Sequence, residues 1–306
     1  MRHTFIPVWL LVVTLLLPLG GCASFLSESQ EIALGEQAQP QFIQESGGLV
    51  PSEALQQYVD QLGMQLAEVS ERPQLPWEFH VVDSDIINAF ALPGGKVFIS
   101  RGLLAEMENE AQLAGVLGHE VGHVTGHHAA KRMSAAMGLQ GLAVAALIFT
   151  RNEGDTARQL SMIGASLGGA LVLNGYSRGQ ELEADERGVQ YMTALGYNPL
   201  GQVQVMEILR QAAAGGSPPE FLSTHPHPDT RIERLEQMIV SEYPAYDDPA
   251  VYSFNQQRFQ RVVADELRQL DNRPQNEKDR ASLDGDRLMA QAHQAVGCDD
   301  PTHDHE

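Results

Sequence analysis

The chain has 306 residues, with 40 Asp and Glu against 20 Lys and Arg and a formal charge of −20 at pH 7. So acidic a balance argues against nucleic acid as a partner, because neutralising phosphates needs a basic patch, and against docking on anionic lipid by charge alone. Two cysteines, Cys22 and Cys298, rule out a disulfide framework, and no Gly-x-x-x-x-Gly-Lys-Ser/Thr or Gly-x-Gly-x-x-Gly loop occurs to hold a nucleotide.

Arg2 and His3 precede a ten-residue apolar run, Val8 to Leu17, set between Pro7 and Pro18. That run is too short to span a bilayer and suits the core of a signal peptide. It ends in Leu19-Gly20-Gly21-Cys22, which resembles the lipobox of bacterial lipoproteins. The resemblance implies cleavage before Cys22 and lipid on its thiol. Ala23 follows where retention at the inner membrane usually calls for Asp, which implies sorting to the outer membrane. The alternative is an ordinary secreted chain cleaved near Ala23. Cys298 lies in a polar tail without electropositive surroundings and is read as incidental.

Ser27 to Glu45 and Ser52 to Arg72 read as two helices; in the second, Leu55, Tyr58, Val59, Leu62, Leu66 and Val69 recur at helical spacing and define one buried face. Trp77 to Val82 alternates as a strand, with His80 on its polar side. Asn88 to Ser100 carries Pro93-Gly94-Gly95 between two extended pieces and predicts a hairpin-like edge. A helix-like run follows from Asn109 to Lys131, capped by Asn109 and Gln112. Gly118 and Gly122 inside it each cost about 1 kcal/mol against Ala, which predicts close approach of another element or of substrate. Two Gly/Ala-rich apolar stretches, Met133 to Phe149 and Leu160 to Leu173, fall short of a membrane span and read as a buried or groove-lining helical hairpin, with a membrane-dipping element as the sharper alternative. Ser177 and Gln180 form a capping box for a helix to Leu195, closed by Gly196; another runs from Asn198-Pro199 to about Ala214. Asp229 is expected to cap a helix ending near Ser241. Beyond Tyr243 the sequence predicts a linker, one or two amphipathic helices, and an acidic, disordered tail.

The chemistry is concentrated in Gly118-His119-Glu120-Val121-Gly122-His123. In a helix, His119 and His123 stand one turn apart on one face and can share one Zn²⁺, while Glu120 beside them can act as general base. A third ligand is needed. The pattern with a third His six residues on fails, since Ala129 occupies that position and His127 and His128 miss it. A carboxylate on a later helix is the other solution, and Glu181 is the candidate, with Asp185 one turn away to orient a histidine N–H. Glu183 points elsewhere and reads as a solvated helix charge.

Asn88-Ala89-Phe90-Ala91-Leu92-Pro93-Gly94-Gly95, the His-Glu-x-x-His helix with His128, Glu181-x-x-Ala184-Asp185, and Ser223-Thr224-His225-Pro226 occur in this order. Together they resemble the HtpX/CAAX-protease superfamily of zinc metalloendopeptidases, over roughly Gln30 to Tyr243, and within it the periplasmic lipoprotein branch. The resemblance departs from members with transmembrane helices, and where others carry a long helical-repeat tail, residues 244–306 follow Tyr243 here.

The resemblance implies an α+β fold: a mostly helical gluzincin-type domain with a small β-sheet whose edge faces the active-site groove. It implies a signal peptide at 1–21, a lipidated tether at 22–27, a metalloprotease domain at 28–243 and a C-terminal helical extension at 244–306. One Zn²⁺ per chain would be held by His119, His123 and Glu181, with Glu120 as base and Asp185 behind the ligands. The strand Asn88, Ala89, Phe90, Ala91 would pair with an extended substrate. His225 would be a removable fourth ligand or an oxyanion stabiliser, and Arg231 a second oxyanion stabiliser; the alternative is a rigid loop with a surface His and an ion-paired Arg. The expected function is hydrolysis of misfolded or stalled outer-membrane and periplasmic proteins, at the periplasmic face of the outer membrane, possible partners including the outer-membrane assembly machinery. The competing reading is a chaperone or assembly factor with a gated or mainly structural zinc site.

Overall fold

The structure is a computed structural model and describes residues 26–135, 175–215 and 219–272. The signal sequence, Cys22, most of the Gly/Ala-rich hairpin, Cys298 and the acidic tail lie outside the described residues.

Local chemistry sets the helix starts. Helix α1 (Glu28–Glu45) begins at Ser27, whose hydroxyl accepts from the Gln30 N–H while the Gln30 side chain accepts from the Ser27 N–H. Ser52 caps α2 (Glu53–Glu68) through the Leu55 N–H. Each reciprocal bond satisfies a donor that helix geometry leaves over. The expected face of α2 is buried from Leu55 to Leu66, and Val69, the last residue assigned to it, is exposed just past the helix end.

Three strands follow: β1 (Glu78–Val82), β2 (Ala89–Leu92) and β3 (Lys96–Ser100), in the order β1-β3-β2. β3 runs parallel to β1 and antiparallel to β2, with Phe90 opposite Phe98. Gly94 and Gly95 make the β2–β3 turn with φ of +78° and +96°, a region that favours glycine. Helix α1 lies directly on this turn, for a Cβ on Gly35 would come 2.0 Å from the Pro93 carbonyl oxygen. Lys96 is buried, and its ammonium donates to the Pro76 carbonyl (2.8 Å) and to Glu78 Oε1 (2.5 Å). Among the described residues, strand β2 is an edge of the sheet.

After a short α3 (Arg101–Ala105), Asn109 caps α4 (Glu110–Thr125), every residue of which is buried. The long helix expected to Lys131 is interrupted. Gly126 ends it, His127 adopts φ +54°, and residues 128–135 are helical again. Across α4 lies α5 (Arg178–Ala194), capped by the Ser177–Gln180 box. Its backbone touches the two expensive glycines. A Cβ on Gly118 would stand 3.1 Å from the Gly188 carbonyl oxygen, and one on Gly122 would stand 2.8 Å from that of Ala184. Helix–helix contact therefore explains both.

α6 (Leu200–Ala214), α7 (Glu220–Thr224) and α8 (Pro228–Glu242) complete the shell. The start of α8 differs from expectation: His227, in a left-handed conformation, occupies the cap position, Pro228 is the first helical residue, and Asp229 sits inside the first turn. α9 (Gln256–Phe259), a π-turn (Gln260–Ala264) and α10 (Asp265–Asp271) form one bent segment, whose Phe259 and Val263 enter the same core as α2 and α4. Arg258 and the Tyr58 hydroxyl converge on the fully buried Glu110, each at 2.9 Å, tying this segment to the start of α4. Among the described residues, no helix is long and apolar enough to cross a membrane.

Candidate metal centre

Four side chains from three places in the chain meet in the core. His119 and His123 come from α4, Glu181 from the first turn of α5, and His225 from the end of α7. One ligand atom from each lies within 4.8 Å of all the others, and all four residues are buried. His119 Nε2 is 3.0 Å from His123 Nε2 and 3.3 Å from His225 Nδ1, while Glu181 Oε1 is 3.1 Å from His225 Nδ1 and 3.5 Å from His123 Nε2. Bonds of ~2.0–2.1 Å in a tetrahedron put neighbouring ligand atoms about 3.3–3.4 Å apart, so this nitrogen and oxygen set fits a zinc ion. Helix α5 passes α4 at Gly118 and Gly122, and only that close approach lets the short Glu181 side chain reach two imidazoles of α4.

The surrounding groups orient the donors. Asp185 Oδ1 lies 2.9 Å from His119 Nδ1, which leaves Nε2 of that ring for the centre. Arg231 donates to both oxygens of Asp185, Nε to Oδ2 at 2.7 Å and Nη2 to Oδ1 at 2.6 Å. Its Nη1 stands 2.7 Å from Glu181 Oε2, an ion pair without hydrogen-bond alignment. Burial alone would raise both carboxyls. For Asp185 the Arg231 guanidinium outweighs it, and for Glu181 the charges of His225 and then Arg231 do, so both are held well below the usual carboxylate range. Burial, reinforced by the adjacent His119, keeps His123 neutral.

Glu120 is fully buried, and neither of its oxygens has a hydrogen-bond partner among the described residues; His225 Nε2 stands 3.6 Å from Oε1. Burial pushes its carboxyl upward. A buried carboxylate left unpartnered costs stability, so the site is built to receive a polar group there.

Of the residues expected to act here, the structure brings His119, Glu120, His123, Glu181, Asp185, His225 and Arg231 together. His225 is no surface residue: it is 0 % exposed, and its ring stacks on Phe221. Arg231 is 1 % exposed and engaged by two carboxylates. Asn88, Ala89, Phe90 and Ala91 lie along the β2 edge. A shallow pocket between that edge and the centre is lined by Ala91, Pro93 and Gly94 and by His123, Ala130 and Tyr176.

Three neighbours were not legible as site residues. Tyr176 stacks on the His123 ring, with centroids 3.8 Å apart. Gln202, on the buried face of α6, donates to Asp185 Oδ1 at 2.9 Å; a polar residue amid Val203, Met206 and Leu209 was the available signal. Glu183, expected to be a solvated charge, contacts the buried His128 (3.3 Å) and Arg187 (2.8 Å).

Comparison with protein-family profiles matches residues 53–239 to peptidase family M48. The chain belongs to peptidase family M48. The matched segment contains the four donors His119, His123, Glu181 and His225, which could hold a metal ion. The chain is similar to the beta-barrel assembly-enhancing proteases of Yersinia pestis, at 33% identity over 211 residues, and of Escherichia coli K12, at 32% over 213. Each alignment covers 68% of this chain, but only 43% and 44% of those proteins. It is also similar to the mitochondrial metalloendopeptidase OMA1 of Schizosaccharomyces pombe, 34% identical over 185 residues, covering 60% of this chain and 52% of that one. The M48 chain described here thus spans about half the length of these relatives or less.

Proposed function

We propose that the chain is a zinc-dependent endopeptidase of the bacterial envelope, acting on misfolded or stalled outer-membrane and periplasmic proteins. One observation carries the chemistry: a buried, unpartnered carboxylate, Glu120, beside four converging metal donors. A purely structural zinc site needs no such base.

His119, His123 and Glu181 would hold the ion, and His225 stands close enough to be a fourth ligand. The chemistry such an ion would supply is Lewis acidity toward the scissile carbonyl and toward a water. Glu120 takes the proton of the attacking water and returns it to the leaving amine. Strand β2 receives the substrate backbone as an added strand, which places the scissile bond beside α4. Asp185 holds His119, and Arg231 holds Asp185 and Glu181.

The envelope address rests on the lipobox-like Leu19-Gly20-Gly21-Cys22 and on Ala23. Lipid on Cys22 would tether the domain to the periplasmic face of the outer membrane. The names of the bacterial relatives, beta-barrel assembly-enhancing proteases, support β-barrel assembly machinery as a partner, and the lipobox-like sequence supports the periplasmic lipoprotein branch as the place of this chain within its family. A second reading, an assembly factor or chaperone with a gated or mainly structural site, is favoured by the count of four protein donors, since catalytic zinc sites use three. Incubation with an unfolded model protein separates the two: the endopeptidase reading expects fragments whose formation stops with a chelator and resumes with added Zn²⁺. Binding without cleavage by the zinc-loaded protein would favour the chaperone reading.

A further inference from the structure

The second imidazole of the motif is held from behind by groups that no part of the proposed mechanism uses. His128 is 0 % exposed, and its Nδ1 lies 2.8 Å from Nδ1 of His123. On the far side of the same ring, Nε2 lies 3.3 Å from Glu183 Oε2, whose side chain is 40 % exposed. The backbone is shaped for this contact. The break at Gly126 and the left-handed His127 turn the chain so that residue 128 points back at α4. A Cβ on Gly126 would come 2.4 Å from His128 Nε2, so only glycine leaves room for the ring.

Donor counting fixes the direction of the chain. A carboxylate oxygen only accepts, so the proton between His128 and Glu183 sits on His128 Nε2. In the neutral ring Nδ1 is then bare and must accept, so the proton between the two histidines sits on His123 Nδ1. That assignment leaves His123 Nε2 with its lone pair toward His119 and Glu181. The opposite direction would put the His123 proton on Nε2, where a metal ligand needs a lone pair. Asp185 does the same for His119 directly; for His123 the carboxylate acts through an intervening imidazole and reaches the protein surface.

We propose that Glu183 and His128 are positioning residues that lock His123 in its Nδ1–H form, so that a carboxylate at the surface sets how tightly the centre holds its metal. The inference rests on the reading of His123 as a zinc ligand. Outer partners of ligating histidines are worth about 10–100-fold in metal affinity.

The test is competition for Zn²⁺ between the purified protein and a chromophoric chelator at neutral pH, together with long-range ¹H–¹⁵N spectra of the histidine rings. Glu183→Leu is expected to weaken Zn²⁺ binding about 10–100-fold and to turn His123 from a single Nδ1–H form into a tautomer mixture. Glu183→Gln, whose amide oxygen can still accept from His128, stays close to the wild type. Arg187→Met removes the other partner of Glu183 (2.8 Å) without touching either histidine, and it too keeps wild-type affinity. Unchanged Zn²⁺ affinity in Glu183→Leu overturns the proposal, as does an equal loss in Arg187→Met, which would mark a packing effect. A wild type that takes up no Zn²⁺ would overturn the metal reading itself, and this proposal with it.

Discussion

Arg231 and Asp185 form a two-pronged pair in the buried interior, with bonds of 2.7 and 2.6 Å, and the same guanidinium faces Glu181. One cation thus balances two buried anions. In the sequence Arg231 reads as an oxyanion stabiliser or an ion-paired helix residue. Its 1 % exposure and double engagement give it the work of keeping Asp185 and Glu181 ionised.

Arg231→Met is therefore expected to destabilise the fold by about 3–5 kcal/mol, because it leaves uncompensated negative charge in the core. Denaturant unfolding should show the loss even in metal-free protein. Full stability with a reduced kcat would instead assign Arg231 to the oxyanion.

Gly122→Ala tests the packing that brings Glu181 to the histidines. The new methyl would lie 2.8 Å from the Ala184 carbonyl oxygen, so α5 must move. Overpacking of this kind costs about 1–3 kcal/mol. Thermal unfolding should drop accordingly, and Zn²⁺ affinity should fall with it; a variant with unchanged stability and affinity would show that the helix approach does not position the ligand.

How much of this was legible follows from where the information lies. The Ser177 capping box depends on residues three apart, and the His119–His123 pair on residues four apart, so both are visible in the sequence. The two glycines announce a close approach, but only the fold shows that α5 is what approaches. The contacts of Tyr176 with His123 and of Glu183 with His128 join residues more than fifty positions apart, and no local periodicity encodes them. The break at His127 escaped for another reason: left-handed backbone is uncommon outside glycine, and the residue types around it continue a helical pattern. Residues 256–271, read as part of an appended extension, carry Phe259 and Val263 into the main core, a packing set by tertiary contact with Tyr58 and Glu110.

Away from the centre, Glu78 gives a pH-dependent term of definite sign. Burial would raise its carboxyl, but hydrogen bonds from Lys96, Gln39 and His80 outweigh it and lower the pKa from 4.5 to about 2. A depressed carboxylate stabilises the fold above its unfolded pKa, and the contribution is lost as pH falls through the folded value. The side chain is 43 % exposed, so solvent screening keeps the pair near the ~1 kcal/mol ceiling of surface ion pairs. Glu78→Gln should lower Tm at pH 6 and converge on the wild type between about pH 4.5 and about pH 2. A difference in Tm that is constant across that window would contradict the assignment.

The most direct measurement pairs zinc content with peptide hydrolysis in the wild type and in Glu120→Gln. Both proteins should hold about one zinc per chain, since Glu120 is not a ligand, while turnover in the variant should fall by at least ~10²-fold. Undiminished turnover in Glu120→Gln, or a wild type that cleaves peptide without zinc, would contradict the account.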